Sequence, residues 1–451
     1  MSAMLEAMSA SHTSIKMTPL HQRLEDKQIS RRGDRAFETL VAPVRAGKKE
    51  SERHKTSHAK LFIEYRNIDP AVETALYYGF TPLPAPLLIT KKDKDAARGI
   101  DEEIKSDIYS ITPMLEERIA MLRYAAENGL KEEQPAMFCA EVLTGPPIRR
   151  KADQRRLLFD IIGTRSSIAD ATLIQTALAT LRECAHENLT LSINSVGDRE
   201  SMSQFVRELG NYYRKHVTAL PQSCKTQLKK SPFELLTCAH PECRALFEEA
   251  PKPMGFLGDE SRRHFREVLE FLEELEIPYK IDHALGGNRS FANETIFDIR
   301  ETMPDGTSQR LSYGMRYDNL GKRLGLRSEL PSVGVNVLLV RDKRERKERR
   351  AIRFKKPLVF LLQLGFYAKL KSLRVIEMLR KAHIPIHQAL CRDKLVSQLS
   401  VADRLKIPYS IILGQREALE NCAIIRNTET RAQETVRLDN LVEHLKKMKI
   451  G

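Results

Sequence analysis

The sequence predicts an α+β body followed by a separate α/β module, and three observations support this prediction. Strand-like segments lie on both sides of a helical stretch, a pattern typical of an antiparallel sheet with a helical insertion. After about residue 357, strands alternate with helices of about 12 to 16 residues, which favours a mostly parallel sheet covered by helices. A basic run, residues 341–356, separates the two patterns.

These changes in composition predict four segments. Residues 1–58 are polar and lack periodicity, so we expect a flexible extension, with a basic RNA-binding arm as the alternative. Residues 59–340 form the body, with the helical insertion at about 199–276. Residues 341–356 form a basic linker, and residues 357–451 form the C-terminal module.

The elements of the body follow from its hydrophobic periodicity and its helix-breaking residues. Residues 69–79 predict a helix that ends at a glycine. Three prolines keep residues 80–90 extended. The later predicted elements of the body are an amphipathic helix at 113–129, strands at 136–142 and 157–162, a helix at 168–187, a strand at 189–194, and insertion helices at 199–216 and 261–276.

The C-terminal module is predicted in the same way. Its elements are a strand at 357–364, a helix at 367–382, a strand at 386–390, a helix at 394–406, a strand at 409–413, a hairpin at 422–427 and 435–438, and a terminal helix from about residue 439. This order predicts helices on the faces of a mostly parallel sheet.

The charge of the chain indicates a polyanionic partner. The formal net charge is +14 and the isoelectric point is near 9.4, which favours nucleic acid first and an acidic membrane surface second. In the linker, ten of sixteen residues are Lys or Arg, as expected either for a solvated helix or for direct phosphate contact.

The cellular compartment is predicted from the cysteines and the hydropathy. Seven scattered cysteines do not form a disulfide framework, so we expect reduced thiols. We find no apolar stretch of about 20 residues and no secretory signal pattern. The sequence therefore predicts a cytoplasmic protein without a membrane partner.

One group of potential metal ligands occurs in the insertion. It consists of Cys224, Cys238, His240 and Cys243, and thiolates and imidazole are the preferred ligands of zinc. The spacing is irregular, because a single residue separates Cys238 from His240. On the sequence alone we predict no metal site.

The C-terminal module carries a specific family resemblance. Residues 394–414 read K-L-V-S-Q-L-S-V-A-D-R-L-K-I-P-Y-S-I-I-L-G. This stretch resembles the anticodon-binding domain of class II aminoacyl-tRNA synthetases, and in particular that of histidyl-tRNA synthetases. The resemblance implies tRNA as a partner.

The body resembles the same family in collinear order, over approximately residues 60–446. Asn194-Ser-Val-Gly197 is similar to a family segment, the stretch 250–279 resembles the family's insertion, and Gly314–Leu320 (G-M-R-Y-D-N-L) resembles its second histidine motif. Pro86 corresponds to the proline of motif 1, which lies at the family's dimer interface. The resemblance therefore implies a class II antiparallel-sheet body and a homodimer formed through the motif 1 region.

The resemblance also implies roles for particular residues. The predicted histidine-binding residues are Asp160, Arg316, Tyr317 and Asp318. The predicted tRNA-binding residues are Arg344, Arg346, Lys347, Arg349, Arg350, Lys394 and Gln398.

Several catalytic positions of the family are changed in this chain. Thr144 replaces the motif 2 arginine, and Gly287 replaces an arginine of the first histidine motif. The segment 112–116 no longer matches R-P-E-G-T, and of motif 3 only Arg341 is kept, which makes it the one catalytic candidate. Each lost arginine removes about 2–4 kcal/mol of transition-state stabilisation. The alternative is a partial substitution for the lost arginines by other arginines of the motif 2 loop, namely Arg149, Arg150, Arg155 and Arg156.

These departures lead to three hypotheses. The first is a histidyl-tRNA synthetase-like protein, a pseudoenzyme that binds tRNA with lost or reduced aminoacylation. The second is a working, divergent histidine–tRNA ligase, which would require ATP and Mg²⁺; otherwise we predict no cofactor. The third is a regulatory subunit of ATP phosphoribosyltransferase, although that family usually lacks the anticodon-binding module.

Overall fold

The computed structural model describes residues 70–100, 115–127, 135–142, 154–236, 238–286, 291–326, 330–340, 354–389 and 391–450. Within these ranges, every helix is too short or too polar to span a lipid bilayer.

The body consists of helices and strands in mixed order. They are α1 (Pro70–Tyr77), β1 (Thr81–Pro82), α2 (Lys91–Ile100), α3 (Leu115–Glu127), β2 (Ala136–Glu141), β3 (Gln154–Ile162), α4 (Ser167–Glu183), β4 (Leu189–Ser195), α5 (Arg199–Lys215), α6 (Gln222–Lys230), α7 (Pro241–Glu249), α8 (Asp259–Glu274), β5 (Tyr279–Ile281), β6 (Asn293–Thr302), β7 (Ser308–Arg316), α9 (Leu320–Arg323) and β8 (Ser332–Val340). Four short helices, α2, α6, α7 and α9, were not predicted from the sequence.

The strands of the body form one sheet. Among the described residues its order is β1-β2-β3-β8-β7-β6-β4-β5. The central pairings, from β2 to β4, are antiparallel, and the outermost strands β1 and β5 add in parallel. The predicted antiparallel body with a helical insertion is confirmed.

Side chains along β3 alternate between two hydrophobic cores. Leu157, Phe159 and Ile161 lie in the core that contains α4, whereas Leu158 and Ile162 lie in the core that contains α3. This alternation follows from the two-residue period of a strand. The sheet is therefore covered on both faces, and a polar side chain on either face needs a partner inside the protein.

The helical insertion packs into the same core as α3. Its first helix, α5, begins at Asp198, whose side chain accepts a hydrogen bond from the Ser201 backbone N–H at 2.8 Å. This is the usual N-cap arrangement, which satisfies an otherwise free backbone donor. Phe205, Leu209 and Tyr213 form the buried face of α5.

The C-terminal module forms a second sheet. Its elements are β9 (Val359–Gln363), α10 (Phe366–Lys381), β10 (Ile386–Gln388), α11 (Leu395–Leu405), β11 (Tyr409–Leu413), α12 (Gln415–Leu419), β12 (Cys422–Asn427), β13 (Gln433–Arg437) and α13 (Leu441–Lys447). The strand order is β10-β9-β11-β12-β13, with the first two pairings parallel and the last two antiparallel. The sheet is thus mixed rather than mostly parallel, because the predicted hairpin extends one edge.

The module packs closely against the body. One hydrophobic core contains residues of α4 and α8 together with residues of β9 and α10. Lys371 of α10 pairs with Glu274 at 2.7 Å, and Arg380 pairs with Glu183 at 2.7 Å. Gln388 donates a hydrogen bond to the Tyr78 carbonyl at 2.8 Å. The module is therefore docked on the body, a contact that the sequence did not predict.

Candidate functional site

The candidate site lies on the face of the large sheet that α3 covers. Asp160 of β3 pairs in register with Gly334 of β8, and Leu158 pairs with Asn336. Because side chains two residues apart share a face, the side chains of Asp160 and Asn336 both point toward α3. This face therefore carries polar groups at the centre of the sheet.

Arg118 of α3 forms the centre of the site. Its Nη1 lies 2.5 Å from Asp160 Oδ1, and both side chains are completely buried. Tyr317, also completely buried, donates its hydroxyl to the same carboxylate oxygen. The Arg118 guanidinium lies 5.5 Å from the centre of the Tyr317 ring. Asp160 is thus bound by a cation and a hydroxyl that both come from this chain.

Three further side chains complete what we call the Arg118 cluster. Arg118 donates to Asn336 Oδ1, and Asn336 Nδ2 donates to Glu117 Oε2 at 2.7 Å. Glu117 also pairs with Arg156. The cluster consists of Glu117, Arg118, Arg156, Asp160, Tyr317 and Asn336. It contains two arginines and two acids, so its formal charges balance.

Burial and pairing shift the pKa values of this cluster in opposite directions. Burial raises the pKa of the Asp160 carboxyl to about 6, although Arg118 and Tyr317 favour the ionised form. Burial alone lowers the pKa of Arg118, but Asp160, Tyr317 and Glu117 raise it above its ordinary value overall. The guanidinium therefore stays charged at neutral pH.

Several buried atoms of the cluster have unused hydrogen-bonding capacity, namely Asp160 Oδ2, Arg118 Nε and two nitrogens of Arg156, and Asp160 Oδ2 is the acceptor among them. Asp160 Oδ2 is buried and has no hydrogen-bond partner among the described residues. A buried carboxylate oxygen without a partner is unfavourable, so this oxygen is a potential acceptor for a water molecule or a ligand.

Gly334 makes room for the cluster. A Cβ at this position would overlap both the Asp160 carboxylate and the Arg118 guanidinium. A side chain larger than glycine would force the ion pair to move, so Gly334 is required by close packing rather than by its backbone conformation.

Arg316 and Asp318 belong to a second cluster. Arg316 is completely buried, and its Nη2 lies 2.6 Å from Asp170 of α4. Its Nη1 lies 3.2 Å from Asp318 and 3.0 Å from the Thr164 carbonyl. Burial alone would raise the pKa of Asp170, but Arg316 and His264 lower it to about 2. This cluster joins β7 to α4.

The four predicted histidine-binding residues are divided between these two clusters. The structure brings Asp160 and Tyr317 together in the Arg118 cluster. Arg316 precedes Tyr317 at the end of β7, so its side chain points to the opposite face of the sheet, toward α4. All three nitrogens of its guanidinium bond within the protein, as does Asp318, which also accepts from the Ser332 backbone at 3.0 Å.

Several predicted residues lie outside the described residues. These are the catalytic candidate Arg341, the altered positions Thr144 and Gly287, and the linker residues Arg344, Arg346, Lys347, Arg349 and Arg350.

The two remaining RNA-binding candidates have different surroundings. Lys394 is exposed and directly precedes α11. Gln398, in contrast, is completely buried; it accepts from the Gln363 backbone at 3.0 Å and donates to the Gln363 carbonyl at 2.7 Å. Gln398 holds α11 against β9 and cannot contact RNA directly in this arrangement. Its predicted RNA contact is replaced by a structural role.

Sequence reasoning missed Arg118 and Glu117. A signal for their presence existed: Asp160 is the one charged residue in the apolar run Leu157–Ile162, and such an acid needs a buried cation. The sequence could not say which of the chain's many arginines provides it, because Arg118 is 42 positions away.

The structure brings one group of potential metal ligands together, in the helical insertion. Among the described residues, Cys224, Cys238 and His240 each place a ligand atom within 4.8 Å of the other two.

The chain is similar to several known proteins. Residues 358–448 match the family described as an anticodon binding domain. The histidine–tRNA ligase of Listeria innocua is 30% identical over 294 residues, which cover 64% of this chain and 68% of that protein. The histidine–tRNA ligase of a Dehalococcoides mccartyi strain is 29% identical over 304 residues, 67% of this chain and 72% of that protein. A crystal structure of apo histidyl-tRNA synthetase from S. aureus gives a TM-score of 0.45 at 21% identity, covering 83% of this chain and 93% of that one.

Proposed function

We propose a function for this chain on the basis of its family, because the chain belongs to the histidine–tRNA ligase family. The proposed function is to bind tRNA through the C-terminal module, with histidine attachment lost or strongly reduced. As a synthetase-like pseudoenzyme, the protein would exert its effect by binding tRNA and not by attaching histidine to it.

The observation that carries this proposal is the contact between Arg118 and Asp160. The family resemblance implies that the acid at position 160 binds the amino group of the substrate. In this chain a buried guanidinium lies 2.5 Å from that acid. A substrate amine would have to displace it, and a buried charge that loses its partner costs about 3–5 kcal/mol. Such a penalty lowers affinity by about a hundred- to a few thousand-fold.

The changed catalytic positions agree with this argument. Thr144 and Gly287 stand where the family resemblance implies arginines that stabilise the transferring phosphate. Both the binding of the amine and the stabilisation of the phosphate would therefore be weakened, by separate changes in the chain.

Support for tRNA binding comes from the C-terminal module and its charge. The anticodon-binding match covers nearly all of it. Around α11, the side chains of Lys394, Arg404 and Lys406 are exposed. Together with the net charge of +14, they provide the kind of basic surface that binds a phosphate backbone.

A filter-binding titration with unfractionated tRNA tests this proposal. We expect binding at low salt that weakens by roughly 40-fold between about 50 and 200 mM salt if three phosphates are contacted. The combined Lys394→Glu, Arg404→Glu and Lys406→Glu variant should bind about tenfold more weakly or worse. Lys280→Glu, an exposed lysine on β5, is the matched control.

Two results would overturn the proposal. The first is the absence of tRNA binding at low salt. The second is equal affinity for the triple variant and the Lys280→Glu control, which would remove the C-terminal module from the contact.

A working histidine–tRNA ligase that uses ATP and Mg²⁺ is the second candidate, and one observation favours it. Asp160 Oδ2 is a buried acceptor without a partner among the described residues. If Arg118 and a substrate amine share Asp160, calorimetry should detect histidine binding in the wild-type protein and none in Asp160→Asn. No heat of binding in the wild type removes this candidate.

A further inference from the structure

The helical insertion brings four potential zinc ligands into one small region. Cys224 lies in the first turn of α6, and Cys243 lies in the first turn of α7. Cys238 and His240 belong to the segment between the two helices, and His240 directly precedes α7. The ligands therefore come from two helix starts and one connecting segment.

The distances within the group are close to those of a tetrahedral zinc site. The Sγ atoms of Cys224 and Cys238 are 3.5 Å apart. His240 Nδ1 lies 3.4 Å from the Cys224 sulfur and 3.2 Å from the Cys238 sulfur. With Zn–S and Zn–N bonds of about 2.3 and 2.0 Å, tetrahedral angles require separations of about 3.8 Å between sulfurs and about 3.5 Å between sulfur and nitrogen. An outward shift of a few tenths of an ångström would admit the ion.

A fourth ligand is available beside these three. The buried Cys243 lies in the same hydrophobic core as Cys224, and Cys238 packs against that core. Three sulfurs and one imidazole nitrogen are one of the usual donor sets of structural zinc.

A disulfide or simple apolar packing fits this group of side chains less well than a metal does. A disulfide has an S–S distance of about 2.05 Å, and the cysteines of this group are free. Apolar packing does not account for His240, an exposed residue that directs its Nδ1 toward two sulfurs.

We propose that Cys224, Cys238, His240 and Cys243 bind one Zn²⁺ ion as a structural site. The three thiols lose their protons to solvent when the metal binds, and the imidazole binds in its neutral form. Because four protein ligands fill the tetrahedron, no coordination position is left for a substrate. The site is thus structural rather than catalytic.

The role of the metal follows from where the ligands lie. Cys224 and Cys243 belong to the hydrophobic core that also contains Tyr213 and Leu235. The chain between α6 and α7 has only a short 3₁₀ turn, Pro232–Leu235, among its described residues. A zinc ion would fix this segment and both helix starts.

Metal analysis of the full chain tests the proposal. Protein purified with a reductant and without chelators should contain about one zinc per chain by plasma mass spectrometry. Cys238→Ser and His240→Gln should lose most of it, whereas Cys184→Ser, a partly buried cysteine outside the group, should keep it. Replacement of zinc by Co²⁺ should give a thiolate-to-cobalt charge-transfer band in the wild type and in Cys184→Ser, and in neither ligand variant.

Hydrogen exchange provides a second measurement that does not depend on the variants. Removal of zinc by a chelator should increase amide exchange across α6 and α7 and leave the C-terminal module unchanged. Because His240 is exposed, His240→Gln should fold even if Cys238→Ser does not.

The results that would overturn the proposal are specific. They are a zinc content of the wild type no higher than that of His240→Gln, a cobalt spectrum without the charge-transfer band, or a disulfide between Cys224 and Cys238 found by mass spectrometry in place of the metal.

Discussion

Arg118 and Asp160 form the central ion pair among the buried charges of the large sheet. Removing an ion from water is unfavourable unless its partners replace the lost hydration. The Arg118 cluster meets this condition in part, through a balanced set of acids, arginines, a hydroxyl and an amide, while Asp160 Oδ2 and three arginine nitrogens have no partner among the described residues. Because any side chain at position 334 would overlap Asp160 and Arg118, the cluster also depends on Gly334, a residue that carries no charge.

Replacing Gly334 by alanine tests this packing. The new Cβ would overlap Asp160 and Arg118, so Gly334→Ala should lower the free energy of unfolding by about 1–3 kcal/mol. Gly99→Ala is the matched control, because a Cβ there meets no atom within 4 Å and alanine favours the helix α2. Denaturant unfolding monitored by circular dichroism measures both. Equal stability of the two variants would contradict the packing described here.

At the scale of single residues, the sequence predicted part of the site. It identified Asp160 and Tyr317 as neighbours through the family resemblance, and the structure brings them together. It did not predict that the Arg316 side chain points to the other face of the sheet. The family motif names Arg316, Tyr317 and Asp318 together and does not assign their side chains to a face. The partner Arg118 could not be found either, since residues 42 positions apart meet only in three dimensions.

Among the elements, long and strongly patterned segments were predicted well. The helix predicted at 168–187 is observed at Ser167–Glu183, and the strand at 409–413 is observed at Tyr409–Leu413. The short helices α2, α6 and α7 were missed, because their charged or mixed sequences lack a clear apolar stripe. The helix α3 was predicted as amphipathic, yet Leu115–Leu122 is buried throughout. Two of its charged residues, Glu117 and Arg118, bond to polar groups of the sheet rather than to solvent.

The short strand β10 carries a titratable group that should influence stability. Burial, with a smaller effect from Lys356, lowers the pKa of His387 to about 4. A histidine whose folded pKa lies below its ordinary value contributes full stability above about pH 6.5, and loses it as the pH falls toward 4. Between about pH 6.5 and 4.5, this group should reduce the free energy of unfolding by about 2 kcal/mol.

The variant His387→Asn isolates this effect. Its unfolding free energy should vary less with pH than that of the wild type, by about 2 kcal/mol over the same interval. Urea unfolding at several pH values measures the difference. Parallel pH profiles for the two proteins would show that His387 titrates normally in the folded state.

On the scale of the whole molecule, the sequence predicted that the body with its sheet precedes the C-terminal module along the chain. It did not predict that the two pack against each other. Alternating strands and helices predicted the C-terminal module from local pattern alone. Its docking depends on pairs such as Lys371–Glu274 and Arg380–Glu183, which join residues distant in sequence. A docked module would hold bound tRNA in a fixed position relative to the body.

The central claim is that a synthetase body has kept its RNA-binding module while its amino-acid site is filled by Arg118. ATP–pyrophosphate exchange with histidine tests this claim most directly. A bacterial histidyl-tRNA synthetase serves as the positive control. We predict no histidine-dependent exchange above a protein-free control, from a preparation that binds tRNA. Exchange that rises with histidine and saturates would contradict the account and identify the chain as a working ligase.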